Sequence, residues 1–184
     1  ISFKDGKIHF RDEKETGMDL YQAEKGDLIT SKINVHQGAL ALADRKLVCS
    51  THYQVYEIDK TQINPEFLVI ALRSKQLQSR VNEIKNNGIK NEQGAEFLLS
   101  LEIPLPSIDE QNAIVAQIEK QITSINTAIE KHIKSNTEVA KKVENICAIK
   151  GVGLHTVAVI IAETNGFELF KNIRQLVSYS GYDV

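Results

Sequence analysis

The 184-residue chain is expected to be α+β: a β-rich first part with a packed helix, then a long coiled-coil-type helix, then a short helical hairpin. Three observations carry that expectation. Short apolar runs punctuated by Gly6, Gly17, Gly26 and Gly38 fill the first sixty or so residues, and the apolar period changes to a helical one after Asn64-Pro65. The third is the stretch Ile103-Pro104-Leu105-Pro106-Ser107-Ile108-Asp109-Glu110-Gln111, which opens a run of isoleucines and valines spaced three and four apart.

In the first part, Lys25-Gly26-Asp27 is a turn signal ahead of the run Leu28–Ile33. Ile29, Ile33 and Val35 fall on one face there, and Thr30, Lys32, Asn34 and His36 on the other, as in a half-exposed strand. Ala39–Ala43 and Val48–Ile58 read as two further strands. Asn64 followed by Pro65 is an N-cap with proline at the first helical position. Phe67, Ile70, Leu72, Leu77, Val81 and Ile84 then make one helical face, which Gly88 closes as a left-handed cap. Phe97–Ile103 reads as a short extended piece. Pro104 and Pro106 stop it, because each fixes φ and removes a backbone donor.

Ser107 and Glu110 form a capping-box pair at the start of a helix predicted to run to Ile146. Its seam is Val115, Ile118, Ile122, Ile125, Ile129, His132, Asn136, Val139, Val143 and Ile146, apolar everywhere except His132 and Asn136. At 1.5 Å per residue such a rod is roughly 60 Å long. A seam of that length needs a partner helix, and a buried asparagine on it would fix the register. Beyond it, Ile149-Lys150-Gly151-Val152-Gly153-Leu154 reads as a tight turn between two helices, whose second N-terminus would favour a phosphate.

Composition narrows the function classes. A hydrophobic fraction of 42% with 25% charged residues is ordinary for a soluble protein, and no apolar run approaches the roughly 20 residues of a membrane span. Cys49 and Cys147 stand far apart, as expected for reduced thiols in the cytoplasm. His9, His36, His52, His132 and His155 have no metal-ligand spacing, and there is no P-loop or GxGxxG, so neither a cofactor nor catalysis is expected. A net charge of −2 gives no overall basic field, so DNA binding would rest on a local patch. The candidates are Lys32, Asn34, His36, Arg45, Lys46, Arg73, Lys75, Arg80, Lys85 and Lys90. Cations serve phosphates, and asparagine or arginine can read base edges. Each also has a plain reading as solvated surface.

Gly26-Asp27-Leu28-Ile29-Thr30-Ser31-Lys32-Ile33, Val48–Val55, Asn64-Pro65-Glu66-Phe67-Leu68 and the Pro-x-Pro-x-x-x-x-Glu-Gln junction occur in order. Together they resemble the target-recognition domain and spacer helix of type I restriction-modification specificity subunits over roughly residues 10–140. The resemblance implies that residues 1–106 form a target-recognition domain, N-terminally incomplete, that binds double-stranded DNA. It implies that 107–146 is a spacer helix that docks modification (methyltransferase) and restriction subunits. Methylation and cleavage would belong to those partners, which bind S-adenosylmethionine and ATP. With one recognition domain and one helix, a homodimer through the long helix is expected. Residues 147–184 are similar to the C-terminal domain of insertion-sequence transposases, whose acidic cluster and serine lie outside the matched stretch. Two other readings stand beside this: a coiled-coil protein-interaction module, and a transposase-derived fragment that binds nucleic acid.

Overall fold

Among the described residues, five short strands come before the helices, and their pairing decides which of the expected surface residues reach solvent. The structure, a computed structural model, describes residues 1–2, 6–10, 19–86 and 96–181. Two compact units are present, Ile1–Gln117 and Ile118–Val184.

In the first unit, β1 (Leu20–Ala23) turns through Gly26, at φ 95°, into β2 (Leu28–Ser31). Asp27 tightens that turn by accepting from the Glu24 amide at 2.8 Å. β3 (Leu40–Leu42), β4 (Leu47–Ser50) and β5 (Tyr53–Tyr56) follow. β1 pairs with β4, while β2 lies between β3 and β5, and every pairing is antiparallel.

The central place of β2 overturns the expected half-exposed face. All four of its residues are buried, and the Thr30 hydroxyl bonds the phenol of Tyr56 instead of facing water. Burial pushes the Tyr56 pKa up to about 12. The strand also stops at Ser31, earlier than the alternation suggested. Lys32, Ile33 and Asn34 form a turn, and Val35–Gln37 a single 3-10 turn closed by Gly38 at φ 84°. Lys32, Asn34 and His36 therefore sit on a loop and not along a strand. The expected strand Val48–Ile58 is likewise two strands, because a turn at Thr51-His52 sends β4 and β5 into different sheets.

Asn64 caps α1 (Pro65–Arg73), its side chain accepting from the Phe67 amide at 2.9 Å. The single helix expected onward to Gly88 breaks at Ser74, which has ψ 145°. The Ser74 hydroxyl accepts from Leu77 N at 3.3 Å and so starts α2 (Lys75–Asn86). The Gly88 cap lies outside the described residues. Leu28, Val35, Leu40, Ile58 and Leu72 form one core cluster, and Ala23, Ile29 and Ala43 another. One helical turn, α3 (Glu96–Leu99), replaces the first half of the expected extended piece, and residues 101–107 have no regular structure.

The long helix is real but shorter than the seam count. α4 runs Ile108–Ser135, and α5 runs Thr137–Cys147. Asn136 separates them with extended angles, φ −122° and ψ 106°, and its side chain accepts from the amides of Glu138 and Val139. The residue expected to sit inside a continuous seam is an N-cap. Asparagine competes with the helix for its own backbone, which is the reason a break falls there. A turn through Gly151 (φ 91°) leads to α6 (Leu154–Glu163), and α7 (Ile173–Tyr179) follows.

Candidate nucleic-acid interface

The cations expected to meet DNA occupy three places in the first unit. The loop after β2 holds Lys32, Asn34 and His36. Lys32 lies 5.5 Å from the centroid of the Tyr21 ring, a cation–π distance, and Asn34 is braced by its own amide bonding Ser31 Oγ at 3.2 Å. The carbonyl of His36 accepts from Asn82 Nδ2 of α2 at 3.5 Å. Arg73, the last residue of α1, donates to the Gly38 carbonyl at 3.2 Å. A side chain at Gly6 (φ 70°) would collide with that guanidinium. Arg73 therefore holds the loop against α1, and its bond to protein leaves fewer donors for a phosphate.

Arg45 and Lys46 lie in the connection from β3 to β4. Arg45 stacks on Phe10 at 4.2 Å and stands 3.9 Å from Asp44. Lys46 pairs with Glu24 at 2.8 Å, and that hydrogen bond, with a second from Gln22, holds the Glu24 carboxyl below its ordinary range. Both pairs are exposed, so a phosphate can displace them at small cost. On α2, Lys75 is exposed at the first position and Arg80 donates to the Glu102 carbonyl at 3.1 Å. The Lys85 side chain and all of Lys90 lie outside the described residues.

The first unit also holds an apolar cavity of about 280 Å³ among Leu28, Tyr56, Ile58, Leu72, Leu98 and Leu101. No group of three or more His, Cys, Asp or Glu side chains among the described residues is placed to hold a metal ion.

The junction to α4 is held by a dense set of polar bonds. Ser107 Oγ donates to Glu110 at 2.7 Å, and Glu110 also accepts from the Ser107 amide at 2.9 Å, completing the capping box. These two bonds hold the Glu110 carboxyl below its ordinary value. Gln111 beside it is fully buried. Its Oε1 accepts from the Asn64 amide at 2.8 Å, while its Nε2 donates to the carbonyls of Pro106 at 2.8 Å and Gln62 at 3.1 Å. Asn64 adds a bond from Nδ2 to Asn112 Oδ1 at 2.8 Å. The start of α4 is thus clasped to the start of α1 through one buried amide. In the sequence Gln111 stands out only as part of the junction. Its one signal was position, since a glutamine in a polar first turn looks solvated.

The second unit gathers the other end of the seam. Ile133, Val143 and Val157 are its buried core, with Ile129, Val139, Ile146, Leu154, Ala158 and Ile161 packed on them. Of the expected interface residues, Val115 is buried in the first unit and Ile118 is half-buried. Ile122 and Ile125 are 53% and 59% exposed. After α6, Thr164 Oγ accepts from the Phe167 amide at 3.1 Å, holding a turn in which Asn165, Gly166 and Phe167 all have positive φ. No helix among the described residues is long and apolar enough to cross a membrane.

A family model described as the type I restriction modification DNA specificity domain matches residues 11–138. A second, for the IS116/IS110/IS902 transposase family, matches residues 143–184. The change from one to the other falls inside α5. A search of curated proteins finds no match.

Proposed function

The chain belongs to the type I restriction-modification DNA specificity family, whose model covers residues 11–138, and from that premise we propose that it is the sequence-reading subunit of such a system. That family's domain recognises DNA and is not itself catalytic. In the proposed arrangement, residues 1–106 read DNA and α4 is the spacer that sets the separation of two half-sites by pairing with the helix of a second copy. Modification and restriction subunits, carrying S-adenosylmethionine and ATP, supply the chemistry.

Within the reader, the loop Lys32–Gly38 is the proposed base-reading element, because Lys32, Asn34 and His36 are half-buried there beside an exposed Gln37, and two helices brace it. Arg45, Lys46 and Lys75 are the proposed phosphate contacts, with Lys85 and Lys90 continuing that set. Phosphate contacts fix register, whereas base contacts specify sequence. The observation that carries the reading is the family match running unbroken from the strands through α4.

The test is to assemble the chain with modification subunits and measure its affinity for duplex DNA against salt. Lys75→Ala is expected to weaken binding evenly across sequences and to lower the salt slope by about one. An Asn34→Ala variant is expected to keep the slope and lose discrimination at one base pair. Equal affinity of the wild-type assembly for every duplex would rule the reading out.

A further inference from the structure

The seam of α4, widened at its far end by Ile133 beside His132, is covered unevenly within the second unit. Ile133 is buried at 9% exposure and Ile129 is half-buried, whereas Ile125 and Ile122 are more than half exposed. What covers the buried end is the chain's own tail. Leu154, Val157, Ala158 and Ile161 of α6 follow the i, i+3, i+4, i+7 spacing of one helix face, and all four pack in the cluster with Ile129 and Ile133. His155 extends the contact towards the exposed stretch, its Nε2 lying 2.7 Å from Asn126 Oδ1. The break at Asn136 makes this possible, since α5 joins the same cluster through Val139 and Val143 instead of prolonging α4.

We propose that the α5–α6 hairpin is an intramolecular cap on the seam, standing where a second copy of α4 would otherwise lie and restraining self-association of the chain. With the cap closed, the seam open to a partner is Ile118, Ile122 and Ile125, fewer than two heptads. A seam that short pairs weakly, because the stability of a coiled coil grows with the number of seam positions it packs. With the cap open, Ile129 and Ile133 are added and the stripe reaches the end of α4. The partner that fits is another copy of the same helix. Gln121–Ile129 carries no charged residue, so two copies meet there without like-charge repulsion.

This inference rests on the proposed pairing of α4, and sedimentation equilibrium of the full chain separates the two. Val157→Asp places a charge in the fully buried site and opens the hairpin. His155→Ala removes only the bond to Asn126, which loosens the cap without disturbing its core. The expected result is self-association at least tenfold tighter for Val157→Asp and slightly tighter for His155→Ala. Adding Ile122→Asp to Val157→Asp should return the chain to monomer.

If wild type and Val157→Asp associate equally tightly, and Ile122→Asp abolishes both, the pairing stands and the cap is overturned. Tight association of Val157→Asp that survives Ile122→Asp also overturns the cap, because exposed tail surface is then the cause. If neither chain associates, both the pairing and the cap fall.

Discussion

The two ends of α4 are held by opposite chemistries. At the start, a fully buried glutamine makes three hydrogen bonds to backbone groups of two other segments, Gln62–Asn64 and Pro106. At the far end, Ile129 and Ile133 pack into an apolar cluster. Apolar contact is non-directional, so it tolerates a shifted or exchanged partner as long as area stays covered. A buried amide has no such freedom, because a displaced partner leaves polar groups dry and unpaired. The start of α4 is built for one geometry, and the end is built from contacts that another helix could supply.

The sharpest way to break this comparison is Gln111→Leu, which keeps the volume and removes the clasp. Asn64 N and the carbonyls of Gln62 and Pro106 lose their partner, so urea unfolding should lose about 3 kcal/mol or more from the first unit. A loss below about 1 kcal/mol would mean that water replaces the amide readily. At the other end, Ile133→Ala should cost about 2–3 kcal/mol, as a large-to-small change in an apolar core. Circular dichroism during unfolding should assign that loss to the helical second unit alone.

Much of this design was legible in the sequence. The Asn64-Pro65 cap, the Ser107–Glu110 capping box, the double-proline stop and the Gly151 turn are local devices, in which the deciding partners lie within four residues. Each could be read from one stretch of chain. The misreadings came where a distant partner decides. Thr30 alternates like an exposed strand residue, yet β5 supplies Tyr56 and buries it. Nothing near Gln111 marks it for burial, because its partner Asn64 lies 47 positions earlier. Asn136 is a residue type suited to a cap, yet it stands in register with nine other seam positions, which hides the break. Arg73 and Arg80, two of the expected DNA contacts, also bond backbone carbonyls of other segments, a second role that spacing on a helix face does not carry.

The two asparagine caps sharpen the comparison at a smaller scale. Asn64 caps α1 and joins the clasp, so Asn64→Ala should cost about 2 kcal/mol. Asn136 caps only α5, and its replacement by alanine should cost about 1 kcal/mol. Equal losses would show that the clasp adds nothing to the cap. The smallest effect concerns pH. Glu110 is stabilised as a carboxylate by Ser107, so its folded pKa lies below the ordinary 4.5. Its contribution is present above that ordinary value and is lost as pH falls through the lowered one. Ser107→Ala should therefore flatten the stability profile below about pH 4.5, and a profile unchanged from wild type would argue against the box.

The most direct measurement is selection of duplex DNA from a random pool by the chain assembled with modification subunits. Specific complexes typically exceed non-specific ones by about a thousandfold or more. Enrichment of one defined sequence is expected, with affinity that falls steeply with salt. Recovery of a pool with no preferred sequence, at every salt concentration, would contradict it.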